Sequence, residues 1–167
     1  MKKITFMLLV VFAATNLHAQ ENKKPLTEEL TGTWTLVSVD NIYPDGSKVH
    51  PYGDNPQGLL IFDAQGNYAI QIYKALRTQV ASGDKNKSTP EENAAMVQGS
   101  NAHFGRYLVD EKSKTIVFNI AHASFPNWEG TVQKRSYTYT GSQIKYVVTH
   151  TTQGGQAVIA EVAWRRL

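Results

Sequence analysis

No cysteine occurs among the 167 residues. No disulfide can staple the fold, no thiolate can hold a metal, and no lipidated cysteine can anchor a processed chain. The sequence also lacks a G-x-S-x-G elbow, a phosphate-cradling G-x-x-x-x-G-K loop and an H-E-x-x-H pair, so nucleophilic and metal-assisted hydrolysis find no support. Beyond His18 in the N-terminal segment, histidines stand at 50, 103, 122 and 150 with no i, i+2 or i, i+4 pair among them, and neither a metal nor any other cofactor is expected. An excess of one charge is missing too: 17 Lys and Arg face 14 Asp and Glu, and without Lys2 and Lys3 the basic count falls to 15. Nothing in that balance points to nucleic acid.

Long apolar runs are confined to the beginning of the chain. Met1-Lys2-Lys3 leads into the uncharged stretch Ile4 to Asn16, with its apolar core from Phe6 to Ala14. This is the layout of a secretory signal peptide, and it falls well short of the roughly 20 residues that cross a bilayer. Leu17-His18-Ala19 supplies the small-residue cleavage signal, so residues 1–19 are expected to be removed and the protein exported, to the periplasm or beyond the cell, without a membrane anchor. The remaining 148 residues (167 less 19) suit one domain. Residues 20–29 are polar and read as a flexible leader, and residues 30–167 as the folded domain, expected to be a monomer.

Within that domain, short alternating or β-branched runs are separated by turn residues, the pattern of an antiparallel sandwich or barrel. Eight runs are expected: Gly32 to Asp40, Gly58 to Asp63, Asn67 to Ala75, His103 to Asp110, Lys114 to Ala123, Gly130 to Thr140, Gln143 to His150 and Gln156 to Arg165. Asp63-Ala64-Gln65-Gly66-Asn67, Thr140-Gly141-Ser142-Gln143 and Gln153-Gly154-Gly155-Gln156 have the chemistry of tight hairpin turns. Thr89-Pro90-Glu91-Glu92 combines an N-cap, a first-turn proline and early acids, so one short helix is expected between the third and fourth runs.

Gly32-Thr33-Trp34 at the start of the first run resembles the G-x-W signature of lipocalins, in which the Trp plugs one end of the barrel. Further segments carry the resemblance along Leu30 to Leu167: Tyr52-Gly53-Asp54-Asn55-Pro56-Gln57-Gly58-Leu59-Leu60-Ile61, the Thr89-Pro90-Glu91-Glu92 helix start, His103-Phe104-Gly105-Arg106-Tyr107, Phe125-Pro126-Asn127-Trp128-Glu129-Gly130-Thr131 and Ala160-Glu161-Val162-Ala163-Trp164. In their order and spacing they are similar to the lipocalin-like domain family of small bacterial and fungal proteins. The resemblance implies an all-β, eight-stranded antiparallel up-and-down barrel of calycin type, with a basic side chain of the final strand lying across the first-strand Trp. It implies no defined activity, so function has to come from the site.

Barrel strands turn alternate side chains inward. By bulk, the inward sets are Tyr68, Ile70 and Ile72 in the third run, Ile116, Phe118, Ile120 and His122 in the fifth, and Ile144, Tyr146, Val148 and His150 in the seventh. The sixth run is the informative one, because Gln133, Arg135, Tyr137 and Tyr139 share a face. Arg135 is thereby carried inside or to the barrel mouth, where a charge needs a partner or a ligand. It can pair with Glu161 of the last run, reach out to water, or meet an acidic or carbonyl group of a ligand. Phe125 and Trp128, just after His122, can form a lid over the mouth or plug the core. The residues expected to touch a ligand are Tyr68, Ile70, Phe118, His122, Trp128, Arg135, Tyr137 and Tyr146.

A barrel of eight strands has room for one small ligand. The leading expectation is an exported protein binding a small, mostly hydrophobic molecule, with Arg135 and nearby tyrosines fixing a polar end. One alternative is an isomerase, cyclase or lyase acting on a hydrophobic molecule, with His122 or a Tyr as proton donor and Arg135 stabilising an oxyanion. Another is a structural or interaction barrel with a solid interior. Turnover separates the first two readings, and a cavity separates both from the third.

Overall fold

A computed structural model describes residues 25–167, apart from the side chains of His150, Thr152 and Gln153. The expected signal segment lies outside the described residues. The alternating runs become strands: β1 (Gly32–Ile42), β3 (Gln57–Phe62), β4 (Asn67–Tyr73), β5 (Ser100–Asp110), β6 (Thr115–Ala123), β7 (Val132–Tyr139), β8 (Gln143–Gln153) and β9 (Gln156–Arg166), with a two-residue β2 (Lys48–Val49) added on the end of β1. From β3 onward each strand pairs antiparallel with the next, and β1 pairs with both β3 and β9, which closes an eight-stranded barrel. Its core is the inward half of each alternation, including Leu60, Phe62, Tyr68, Ile70, Ile116, Phe118 and Ile144.

The first hairpin illustrates how local chemistry sets the register. The Asp63 carboxylate accepts from the backbone N–H groups of Gln65 and Asn67 and from the Asn67 amide, while Gly66 adopts φ 81°, which a side chain would strain. From there β3 and β4 pair from Phe62↔Tyr68 to Gln57↔Tyr73.

One end of the barrel is sealed. Helix α1 (Leu26–Leu30) buries Leu30 completely, and the Trp34 indole N–H donates to the Leu30 carbonyl at 3.0 Å. The Arg166 guanidinium lies 4.1 Å over the Trp34 ring and donates to the carbonyls of Thr31 and Glu29, so the expected basic side chain does cross the first-strand Trp. Residues 26–29, assigned by sequence to the flexible leader, are helical instead. Leu26 and Leu30 are four apart on one helical face, and both pack on the barrel.

Helix α2 (Pro90–Gln98) begins with the expected capping box: Thr89 Oγ1 accepts from the Glu92 N–H, and the Glu92 carboxylate accepts from the Thr89 N–H. Its ordinal place needs correction. The sequence set it between the third and fourth strands, but β2 counts as an extra strand, and α2 lies between β4 and β5. Two residues carry no readable alternation, so β2 leaves no signal in the sequence. Nor is α2 the single helix expected, since α1 precedes the barrel and short 3-10 turns form at Lys85–Lys87 and Pro126–Trp128.

Candidate functional site

At the end opposite Trp34 the inward faces do not fill the barrel. A cavity of about 240 Å³ remains, lined by Val39 and Asn41 from β1, Ile72 from β4, Asn101 and His103 from β5, Gln133 and Arg135 from β7, Tyr146 and Val148 from β8, and Ala160 and Val162 from β9, with Pro51, Tyr52, Trp128 and Thr151 towards the mouth. Local irregularity helps to aim these groups. A register shift between Leu36 and Ser38 leaves Val37 outside and turns Val39 and Asn41 inward.

Arg135 dominates the cavity chemically. Strand alternation buries it to 4% exposure, with its guanidinium carbon 4.5 Å from the Phe118 ring and 4.9 Å from the Tyr146 ring. Its Nη2 donates to Gln133 Oε1 at 2.8 Å and to His103 Nε2 at 3.3 Å, and Nε has no acceptor. Among the described residues no carboxylate forms an ion pair with it: Glu161, the partner considered from sequence, pairs with Lys145 at 3.1 Å on the outer side. The reason lies in β9, where Ala160, Val162 and Trp164 take the inward positions. A guanidinium keeps its charge at physiological pH, and burying an ion costs several kcal/mol unless an opposite charge compensates it. Two neutral acceptors and two ring faces compensate only part of that cost.

His103 is fixed as a neutral ring. Burial, with the Arg135 charge adding to it, pushes its pKa down to about 3. Since arginine only donates, Nε2 must be the acceptor. The ring proton is then on Nδ1 and donates to the Tyr68 hydroxyl oxygen, 2.9 Å away. Burial raises the Tyr68 pKa, so the phenol stays protonated. A second polar station stands two residues back along β5: Asn101 shares the cavity wall with Tyr52, and its Oδ1 is buried with no donor. Among the described residues no cluster of three or more His, Asp or Glu is placed to hold a metal ion.

Trp128, in the 3-10 turn after β6, stands edge-on to His103 with ring centres 5.9 Å apart, and half-exposed Phe125 packs against it at 5.6 Å. The pair lies at the mouth, where Trp128 both lines the cavity and packs on the edge of the core. Beside it the barrel wall is incomplete: β7 and β8 pair only from Ser136↔Val147 to Tyr139↔Ile144, and beyond that point a cleft lined by Trp128, Gln133, Arg135, Val148 and Thr149 opens at the side.

Of the residues expected to touch a ligand, Trp128, Arg135 and Tyr146 line the cavity. Tyr68 and Phe118 support it from below, through His103 and Arg135 respectively, and Ile70 belongs to the core. Tyr137 is buried on the same face as Arg135 but two residues nearer the sealed end, in a recess with Glu111 and Lys114. His122 is not inside at all. Pairing jumps from Phe104↔His122 to Gly105↔Ile120, leaving Ala121 as a bulge that reverses the alternation, and His122 faces solvent beside Glu129 at 3.4 Å. Gly105 makes the bulge possible, because a Cβ there would stand 2.1 Å from the Asn119 carbonyl oxygen. His103, Asn101 and Tyr52 were missed by the sequence reading. Alternation in β5, which puts His103 and Tyr107 inside, carried the signal for His103.

Residues 31–167 match the family model described as a lipocalin-like domain. No curated protein matches the chain.

Proposed function

Because the chain belongs to the lipocalin-like domain family, we propose that it is an exported carrier or sensor barrel that binds a small, mostly hydrophobic molecule by an acidic head group. Export rests on the charged, then apolar, segment before Gln20. The single observation that carries the ligand reading is Arg135, a buried cation with no carboxylate partner among the described residues, on the wall of a cavity otherwise made largely of apolar and aromatic side chains. An anionic head would supply the missing charge where water is scarce and charge-assisted hydrogen bonds are strong.

Size narrows the choice. A cavity of about 150 Å³ holds benzene, so 240 Å³ suits one ring or a short branched chain bearing a carboxylate. The isomerase, cyclase or lyase alternative loses one of its two named proton donors with His122 outside and keeps a tyrosine, Tyr146, on the cavity wall, while His103 already uses its Nε2 lone pair on Arg135. A solid structural barrel would have no such cavity. Native mass spectrometry against small aryl and branched-chain acids, each beside its methyl ester, tests the proposal. One acid bound per chain and esters bound weakly are expected; no binding of any acid, or equal binding of the esters, overturns it.

A further inference from the structure

Arg135 Nε is not the only buried polar atom left without a partner on the cavity wall. Among the described residues Asn101 Oδ1 is also without one, and the two are complementary in kind: one is a donor in need of an acceptor, the other an acceptor in need of a donor. Native proteins rarely leave such groups unmatched, and a pair of opposite type in one cavity describes a ligand with two polar ends. Building on the acid-binding reading, we propose that the ligand is a bifunctional acid, with a carboxylate on Arg135 and a hydroxyl or amide N–H that donates to Asn101 Oδ1.

The spacing follows from the strand. His103, which touches Arg135, and Asn101 share the inward face of β5, and two residues along a strand cover about 6.8 Å. A six-membered ring substituted at opposite ends spans such a gap, and the walls beside it, Ile72, Val39, Val162 and the Tyr146 ring, are apolar. Asn101 lies on the wall beside Tyr52, and its oxygen stays unused. Trp128 then covers the same space from above.

Calorimetric titration with matched pairs provides the test: benzoate, phenylacetate and cinnamate, each with and without a para hydroxyl, against the wild type and Asn101→Leu. In at least one pair the hydroxylated acid should bind the wild type about tenfold more tightly, the order expected for one neutral hydrogen bond to a buried acceptor. In Asn101→Leu that preference, read as the ratio of affinities within each pair, should vanish whatever change the substitution makes to both members of the pair alike. Equal affinities within every pair, or a preference that survives in Asn101→Leu, would overturn the second polar station and leave acid binding intact. No binding by any of the six acids would instead overturn the acid-binding reading, and this inference with it. Asn101→Asp keeps the shape and serves as a folding control. It should retain the hydroxyl preference while weakening all six acids, because it sets a carboxylate opposite theirs.

Discussion

Replacing Arg135 by leucine separates recognition of an acid from support of the fold. The substitution keeps much of the apolar stem and removes the guanidinium. For the free protein two effects oppose each other. A buried cation with no ion-pair partner among the described residues disappears, which relieves a desolvation cost of several kcal/mol. Gln133 Oε1 and His103 Nε2 lose their donor, at about 1–3 kcal/mol each where no water reaches them and less beside a cavity that admits water. The two nearly cancel, so the melting temperature of the free protein should move by only a few degrees. Binding should respond very differently. Losing one partner of a buried charge pair costs about 2–5 kcal/mol, a factor between about 30 and several thousand in Kd. At an acid concentration of 100 times the wild-type Kd, the ligand stabilises the fold by about 2.7 kcal/mol, near 10 °C for a domain of this size. In Arg135→Leu that shift should fall to about 3 °C or less, while the methyl ester binds both proteins alike. Thermal unfolding with and without the acid and ester reads both effects at once. A large loss of stability in the free variant, together with equal losses for acid and ester, would refute the reasoning and make Arg135 a structural residue.

Trp34→Ala should destabilise the domain by about 3–5 kcal/mol in denaturant titration, because the ring is wholly buried at the sealed end and its removal leaves a cavity; a loss below about 1 kcal/mol would contradict its role as the barrel plug. His122→Ala should leave acid affinity within about twofold of wild type by calorimetry, since the ring faces solvent beside Glu129. The depressed pKa of His103 sets a pH dependence. The unfolded chain takes up this proton near pH 6.5 and the folded chain only near 3, so the stability held by the neutral ring is complete above 6.5 and lost as pH falls, at about 1.4 kcal/mol per unit. His103→Gln, which can still accept from Arg135, should remove about 2 kcal/mol of the wild type's loss between pH 6 and pH 4, and an unchanged pH profile would argue against a buried neutral ring. Trp128→Ala should speed acid release about tenfold in stopped-flow fluorescence if the ring covers the mouth, whereas an unchanged rate would mean that the acid leaves another way, such as the cleft between β7 and β8.

Much of the barrel was legible because period-2 alternation is a direct consequence of strand geometry. Tyr68, Ile70 and Ile72, then Gln133, Arg135 and Tyr137, all face inward as read. The same rule failed where the backbone breaks it. In β6 the bulge at Ala121 turns His122 outward, and Gly105, which accommodates the bulge, is on the neighbouring strand and is visible as a cause only once the two are paired. Glu161 was a poor partner for Arg135 on alternation alone, since Ala160 and Val162 occupy the inward positions beside it. His103 was readable in principle from its place two residues before Gly105 and four before Tyr107. Asn101 and Tyr52 were not, because their importance comes from an unmatched oxygen and a loop folded over the mouth, neither of which has a sequence pattern.

Whether Arg135 holds the acidic head of a ligand inside the barrel is read from a crystal structure of the protein saturated with a bromine-labelled aryl acid. One acid should occupy the cavity, its carboxylate about 2.8 Å from Arg135 Nε and its ring between Tyr146 and Val162 beneath Trp128. A cavity holding only water or rearranged side chains at saturating acid, or the bromine signal confined to the outer surface, would contradict it.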